Sequence, residues 1–191
     1  MMIEKFSSSG PFVVGVVSDT HVPDRTRNLH TRLTGSLKEH KVDLILHAGD
    51  ICVPRVLDEL REVAPVLAVK GNRDILFGND LPISRTLEIK GTKILLTHGH
   101  MGLTSYWLDK FQHMLIGYRM NRYIGRLRKE MPDAGVYIFG HSHRSEVIWQ
   151  EDVLFFNPGS VSIGSPPQFR RSWGLLTFNS NIYEGTIVRL N

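Results

Sequence analysis

Seven side chains able to hold a divalent cation recur in short clusters along this 191-residue chain: Asp19 and His21 in SDTH, Asp50 in GD, Asn72 in GNRD, His98 in THGH, and His141 and His143 in GHSH. Imidazole with carboxylate and amide oxygen suits Mn²⁺, Fe²⁺, Co²⁺, Ni²⁺ or Zn²⁺ better than an all-oxygen Mg²⁺ site. Seven donors suffice for two ions if one carboxylate bridges them. Gly49, Gly71, Gly99 and Gly140 stand beside the clusters, where the lack of a Cβ lets backbone turn sharply and approach a metal. Taken singly, each cluster is an ordinary turn or a strand-end histidine. Five in one positional context point to one site.

That context is set by the segments before them. Phe12–Val17 (FVVGVV), Asp43–His47, Val66–Val69, Lys93–Thr97 and Val136–Phe139 are short apolar runs, read as buried strands that each release polar residues at their C-terminal end. Leu29, Leu33 and Leu37 form one helical face. Pro54 opens a second helix, with Leu57, Leu60 and Ala64 as its stripe. The β-α-β-α-β order predicts a largely parallel sheet, whose ligands collect outside the carboxyl ends of its strands. Thr86–Ile89 pairs with Lys93–Thr97 through Gly91. Glu146–Gln150, Val153–Phe156, Trp173–Phe178 and Ile182–Arg189 read as antiparallel strands of a second group. An α/β fold of two face-to-face sheets with helices outside is expected. Ser105–Met131 reads as helix, but its apolar residues change face near Gly117. Either it breaks there or it lies between two apolar surfaces, one of them a second subunit, making this region a candidate homo-oligomer interface.

Composition sets the bounds. A chain of this length with 41% hydrophobic residues suits one domain, 1–191, and the formal charge of +4 is a mild excess that favours an anionic ligand without demanding nucleic acid. Cys52 alone excludes an intramolecular disulfide framework. Residues 1–10 lack the apolar core of a secretory signal, and no apolar stretch approaches the roughly 20 residues of a membrane span, so a cytoplasmic protein is expected.

The series SDTH, GD, GNRD, THGH, GHSH and NPGS (157–160) resembles the calcineurin-like metallophosphoesterase superfamily, and within it the small YfcE-type phosphodiesterase group. The resemblance implies a four-layer αββα sandwich. It also implies Asp19, His21 and His143 on one ion, Asn72, His98 and His141 on the other, and Asp50 bridging them. The two divalent ions, Mn²⁺ first with Ni²⁺, Co²⁺, Fe²⁺ or Zn²⁺ as alternatives, would share a hydroxide for in-line attack on a small, nucleotide-like phosphoester. Asp50, Asn72, Arg73 and His100 are the candidate catalytic residues. Larger members place a histidine after the GN asparagine to protonate the leaving group. Here Arg73 stands there, a permanent cation that cannot act as an efficient acid. Water or His100 would then supply the proton, and a phosphodiesterase is favoured over a general phosphatase.

Three features stand apart. Arg119, Arg122, Arg126 and Lys129 are spaced along one helix face, read as solvated rather than as a substrate track. Cys52 reads as a small packed apolar group. NPGS is assigned a structural role. The competing reading is a non-catalytic scaffold of the same fold, like the retromer subunit Vps29; a nuclease of long nucleic acids would want a broader basic surface.

Overall fold

In the computed structural model, described residues are 3–77, 80–99, 120–164, 170–180 and 182–191. Two sheets face one another. The first holds β2 (Phe12–Val17), β3 (Leu44–His47), β4 (Val66–Ala68), β10 (Arg171–Asn179) and β11 (Ile182–Leu190) in the order β11-β10-β2-β3-β4. The second holds β1 (Glu4–Phe6), β5 (Ser84–Ile89), β6 (Thr92–Thr97), β7 (Val136–Ile138), β8 (Ser145–Gln150) and β9 (Val153–Pro158) in the order β1-β5-β6-β7-β9-β8. β2, β3 and β4 run parallel, as do β6, β7 and β9.

Strand alternation builds three apolar layers. Val14, Val16, Leu44, Leu46, Ile94, Leu96, Val136, Ile138, Leu154 and Phe156 fill the space between the sheets. Their odd neighbours turn outward: Val17 and Ile45 meet α1 (Leu33–Glu39) and α2 (Arg55–Arg61), while Leu95, Tyr137 and Phe155 meet Ile124 and Leu127 of α3 (Met120–Glu130). Period-two strands buried on both faces thus force a helix layer onto each side, the αββα sandwich.

Three expectations change. β9 is antiparallel to β8 but parallel to β7, so it is an interior strand of the second sheet. The β10–β11 hairpin returns to pair with β2 in the first sheet, where Gly174 lets Phe156 pack against the strand: a Cβ there would meet Phe156 Cε1 at 2.2 Å. β1, which the sequence pattern did not suggest, adds parallel to β5. Leu29 is buried with the α1 stripe but precedes that helix. Cys52 is buried, as expected of a packed apolar group. Gly117, Arg119 and the rest of 100–119 lie outside the described residues, as does the Arg122 side chain; Arg126 is half-buried and Lys129 exposed. Among the described residues no helix is long and apolar enough to cross a membrane.

Candidate metal centre

The ends of β2, β3, β4, β6 and β7 meet at one edge of the sandwich. Asp19 N–H donates to Gly49 O, and Gly140 N–H to His98 O, stitching neighbouring strand ends together within each sheet. Close approach requires glycine twice here. A Cβ on Gly71 would lie 2.2 Å from Asp50 N and Oδ1, and one on Gly140 would lie 2.0 Å from Ser18 Oγ. Asp19, His21, Asp50, His141 and His143 all adopt positive φ, between 48° and 69°, a conformation that turns consecutive side chains toward one point at a cost in backbone strain.

Two trios result. Asp19 Oδ1 lies 3.1 Å from His143 Nε2 and 3.6 Å from His21 Nε2, and the two imidazole nitrogens are 3.2 Å apart. Asn72 Oδ1 lies 3.2 Å from His98 Nε2 and 3.1 Å from His141 Nδ1, themselves 3.3 Å apart. Asp50 stands between: Oδ2 is 3.5 Å from His21 Nε2, and Oδ1 is 3.5 Å from His98 Nε2. The structure therefore brings all seven donors together.

Outer contacts aim them. Ser18 Oγ–H and His141 N–H occupy Asp19 Oδ2, leaving Oδ1 toward the imidazoles, buried and without a hydrogen bond. The main-chain carbonyl of Ala48 takes the Nδ1–H of His98 at 2.6 Å, and Ile163 O takes that of His143 at 2.9 Å, so each presents Nε2 to its trio. Asp24 Oδ2 sits 3.4 Å from His21 Nδ1 and 3.6 Å from Arg73 Nε, while Arg73 N–H holds Asp50 Oδ1 at 2.8 Å.

Sequence reasoning missed several of these supports. Asp74 is fully buried, and its carboxylate accepts the N–H groups of Asp50, Ile51, Cys52 and Gly71. It ties the loop after β3 to the loop after β4. Ser160 and Ser162 both donate to Asp19 O, and Asn157 Nδ2 donates to Gly140 O, so NPGS carries the structural role expected of it. An acid three residues beyond a loop glycine was the one available signal for Asp74. His100 lies outside the described residues.

Electrostatics follow from packing carboxylates among imidazoles. Burial opposes ionisation of Asp19, yet His143, His21 and His98 hold it well below the usual carboxylate range. Burial likewise opposes Asp50, but His98 chiefly pulls it down to about 2. His98 is pushed the other way: burial lowers it, and Asp50 and Asp19 together raise it to about 9. His143 also rises, burial being outweighed by Asp19. His47, behind the site, is driven by burial to about 4; it accepts Gly49 N–H at Nδ1 and stays neutral.

The donor set fits divalent cations. Asp19 Oδ1 is a buried atom without a hydrogen bond, and paired imidazole nitrogens near 3.2 Å share room that a cation would satisfy at both. Asp19, His21 and His143, and separately Asp19, Asp50 and His98, each bring their ligand atoms within 4.8 Å of one another.

The calcineurin-like phosphoesterase superfamily profile matches residues 12–181. The chain belongs to that family. A protein of Methanothermobacter thermautotrophicus named "Probable metallophosphoesterase" is 36% identical over 151 residues, 79% of this chain and 78% of that one. In fold, Vps29 of Entamoeba histolytica, solved in complex with Zn²⁺, superposes with TM-score 0.69 at 24% identity, over 94% of this chain and 100% of that one. A solved archaeal phosphodiesterase superposes with TM-score 0.64 at 22% identity, over 93% and 100%. Family and donor set together support a phosphoesterase hydrolase that binds divalent metal.

Proposed function

We propose that this protein is a two-metal phosphodiesterase, one ion held by Asp19, His21 and His143, the other by Asn72, His98 and His141, with Asp50 shared. The observation that carries it is the Asp50 carboxylate, which reaches one trio with each oxygen. Mn²⁺ is the first candidate, with Ni²⁺, Co²⁺, Fe²⁺ and Zn²⁺ as alternatives for a mixed nitrogen and oxygen site. Divalent ions here would supply activated water and neutralise phosphoryl charge.

The protein's own groups do the rest. Arg73 N–H fixes the Asp50 carboxylate, and the Asp74 clamp holds the Asp50 main chain. The Arg73 guanidinium, tethered by Asp24 beside His21, offers a standing positive charge to an anionic ester but no proton to a departing alkoxide. Diesters with good leaving groups are favoured, with water or His100 to protonate poorer ones. A small, nucleotide-like diester, a single domain over 1–191, a cytoplasmic setting and homo-oligomerisation through 105–131 complete the reading.

The deciding experiment strips the protein of metal and assays phosphomonoesters, phosphodiesters and 2′,3′-cyclic nucleotides with each ion in turn. Mn²⁺-dependent turnover of diesters over monoesters is expected. Metal binding without turnover of any ester would instead favour the scaffold, a reading that the likeness to Vps29 keeps in view.

A further inference from the structure

Behind the metal centre, residues of the 26–31 loop and Val161 and Ser162 line an open cavity of about 260 Å³. Thr20 lines it, whereas its neighbours Asp19 and His21 do not, so the wall between cavity and metal trio is the turn carrying two of the proposed ligands. Thr26 Oγ–H donates to Thr20 O, and Ser162 Oγ–H donates to Asp19 O; both hydroxyls brace that wall. Their protons are committed to it.

The remaining lining sets Asn28, His30, Thr31 and Arg171 against two apolar residues, Leu29 and Val161. Arg171 gives its Nε–H to Ser162 O, which leaves its two outer nitrogens as donors beside the cavity. His30 Nδ1 accepts Arg32 N–H, so the ring's proton sits on Nε2. Thr31 adds a hydroxyl. Among the described lining residues none is acidic. Arg171 and Ser162 also line an adjoining cavity of about 360 Å³ with Arg170, which extends the positive lining. A volume below the roughly 300–1,000 Å³ of drug-sized ligand pockets suits one compact group. A guanidinium flanked by neutral donors, with no carboxylate to repel a guest, matches a tetrahedral oxyanion.

We infer that this cavity is a second phosphate site, which binds the phosphoryl group of a small molecule through Arg171, His30 and Thr31, separately from the metal centre. His30 is a built-in reporter. Burial, with Arg171 and Arg32 close by, holds its imidazole below the ordinary histidine value. An anion seated against Nε2 reverses the cationic part of that effect.

The test is NMR of the His30 ring in protein loaded with diamagnetic Zn²⁺, with inorganic phosphate and, separately, adenosine monophosphate titrated at constant ionic strength against sodium chloride. The expected result is saturable movement of the His30 ring signals and an upward shift of its titration midpoint. Response to both ligands assigns the site to the phosphoryl group itself; response to the nucleotide alone assigns it to a phosphorylated organic molecule. Arg171→Gln is expected to weaken the response at least tenfold, and Thr31→Val, on an exposed residue, to weaken it less while leaving the fold unchanged. No saturable movement with either ligand, an equal effect of chloride, or undiminished binding in both variants would overturn the inference. None of these readouts depends on the metal centre being catalytic.

Discussion

The two halves of the metal centre are built differently. The Asp19, His21 and His143 trio contains a carboxylate, and its surroundings are hydroxyls on the Asp19 main chain plus Asp24 behind His21. The Asn72, His98 and His141 trio has no charged oxygen of its own, and its frame is the Asp74 clamp and the Ala48 carbonyl. With Asp50 common to both, the first half offers one more negative charge to a cation. The first is expected to hold its ion firmly, the second to exchange it.

Asp50→Ala removes what the halves share. Turnover should fall by more than about 100-fold, beyond the 10–100-fold typical of an outer partner, and metal analysis should show at most one ion retained per chain, in the half that keeps Asp19. Undiminished hydrolysis would break the two-half description altogether. Asp74→Ala attacks the frame that ties the Asp50 loop to the Asn72 loop. Four N–H groups lose their acceptor, a loss of about 3 kcal/mol, which thermal unfolding should report as a melting temperature lower by roughly 6–12 °C.

Asp24→Asn removes the partner of His21 in the first half and of the Arg73 guanidinium, and touches no donor of the second trio. Metal affinity in the first half should drop by about 10–100-fold with little change in thermal stability; an equal loss at both halves, in a competition titration, would contradict their independence. Arg73→His should raise turnover of esters with poor leaving groups by about tenfold, toward the range for a positioned acid, with activated esters unaffected.

The smallest expected effect is pH-dependent and belongs to the second half. In metal-free protein His98 is raised to about 9, above the 6.5 of an ordinary imidazole. Its stabilisation is therefore complete below pH 6.5 and is lost as pH rises through 9. Asp50, depressed to about 2, contributes stability above pH 3.8 that is lost as pH falls through 2. Metal-free melting temperatures should decline from pH 6.5 to 9 while apparent metal affinity rises over the same window, because a cation must displace the His98 proton. A flat profile in both measurements would leave His98 without the carboxylate coupling described above.

Much of this arrangement was legible in the chain itself, for a physical reason. Strands buried on both faces are uninterrupted apolar runs, and the residues just past them have to lie at a sheet edge, so the convergence of Asp19, Asp50, Asn72, His98 and His141 could be read from order alone. What could not be read depends on which strand lies beside which. Trp173–Phe178 has the same pattern whether it joins β2 or β9, and only the fit of Phe156 over Gly174 and Gly185 decides. Asp74 was equally hidden. Its four partners are backbone groups, which carry no signature in residue type. Asp24 and Ser162 act through contacts closed only when distant loops meet.

The positive φ angles at the site have a further consequence. Asp19, His21, Asp50, His141 and His143 hold left-handed backbone, which for a residue with a Cβ costs on the order of 1 kcal/mol each. This protein is therefore less stable than its own sandwich permits, and selection for heat resistance alone would erode its donors. Glycine at position 143 would relax one such turn while deleting an imidazole. A thermostabilised library screened without an activity assay should drift toward inert, tougher descendants, and the strand-end loops are where that drift would start.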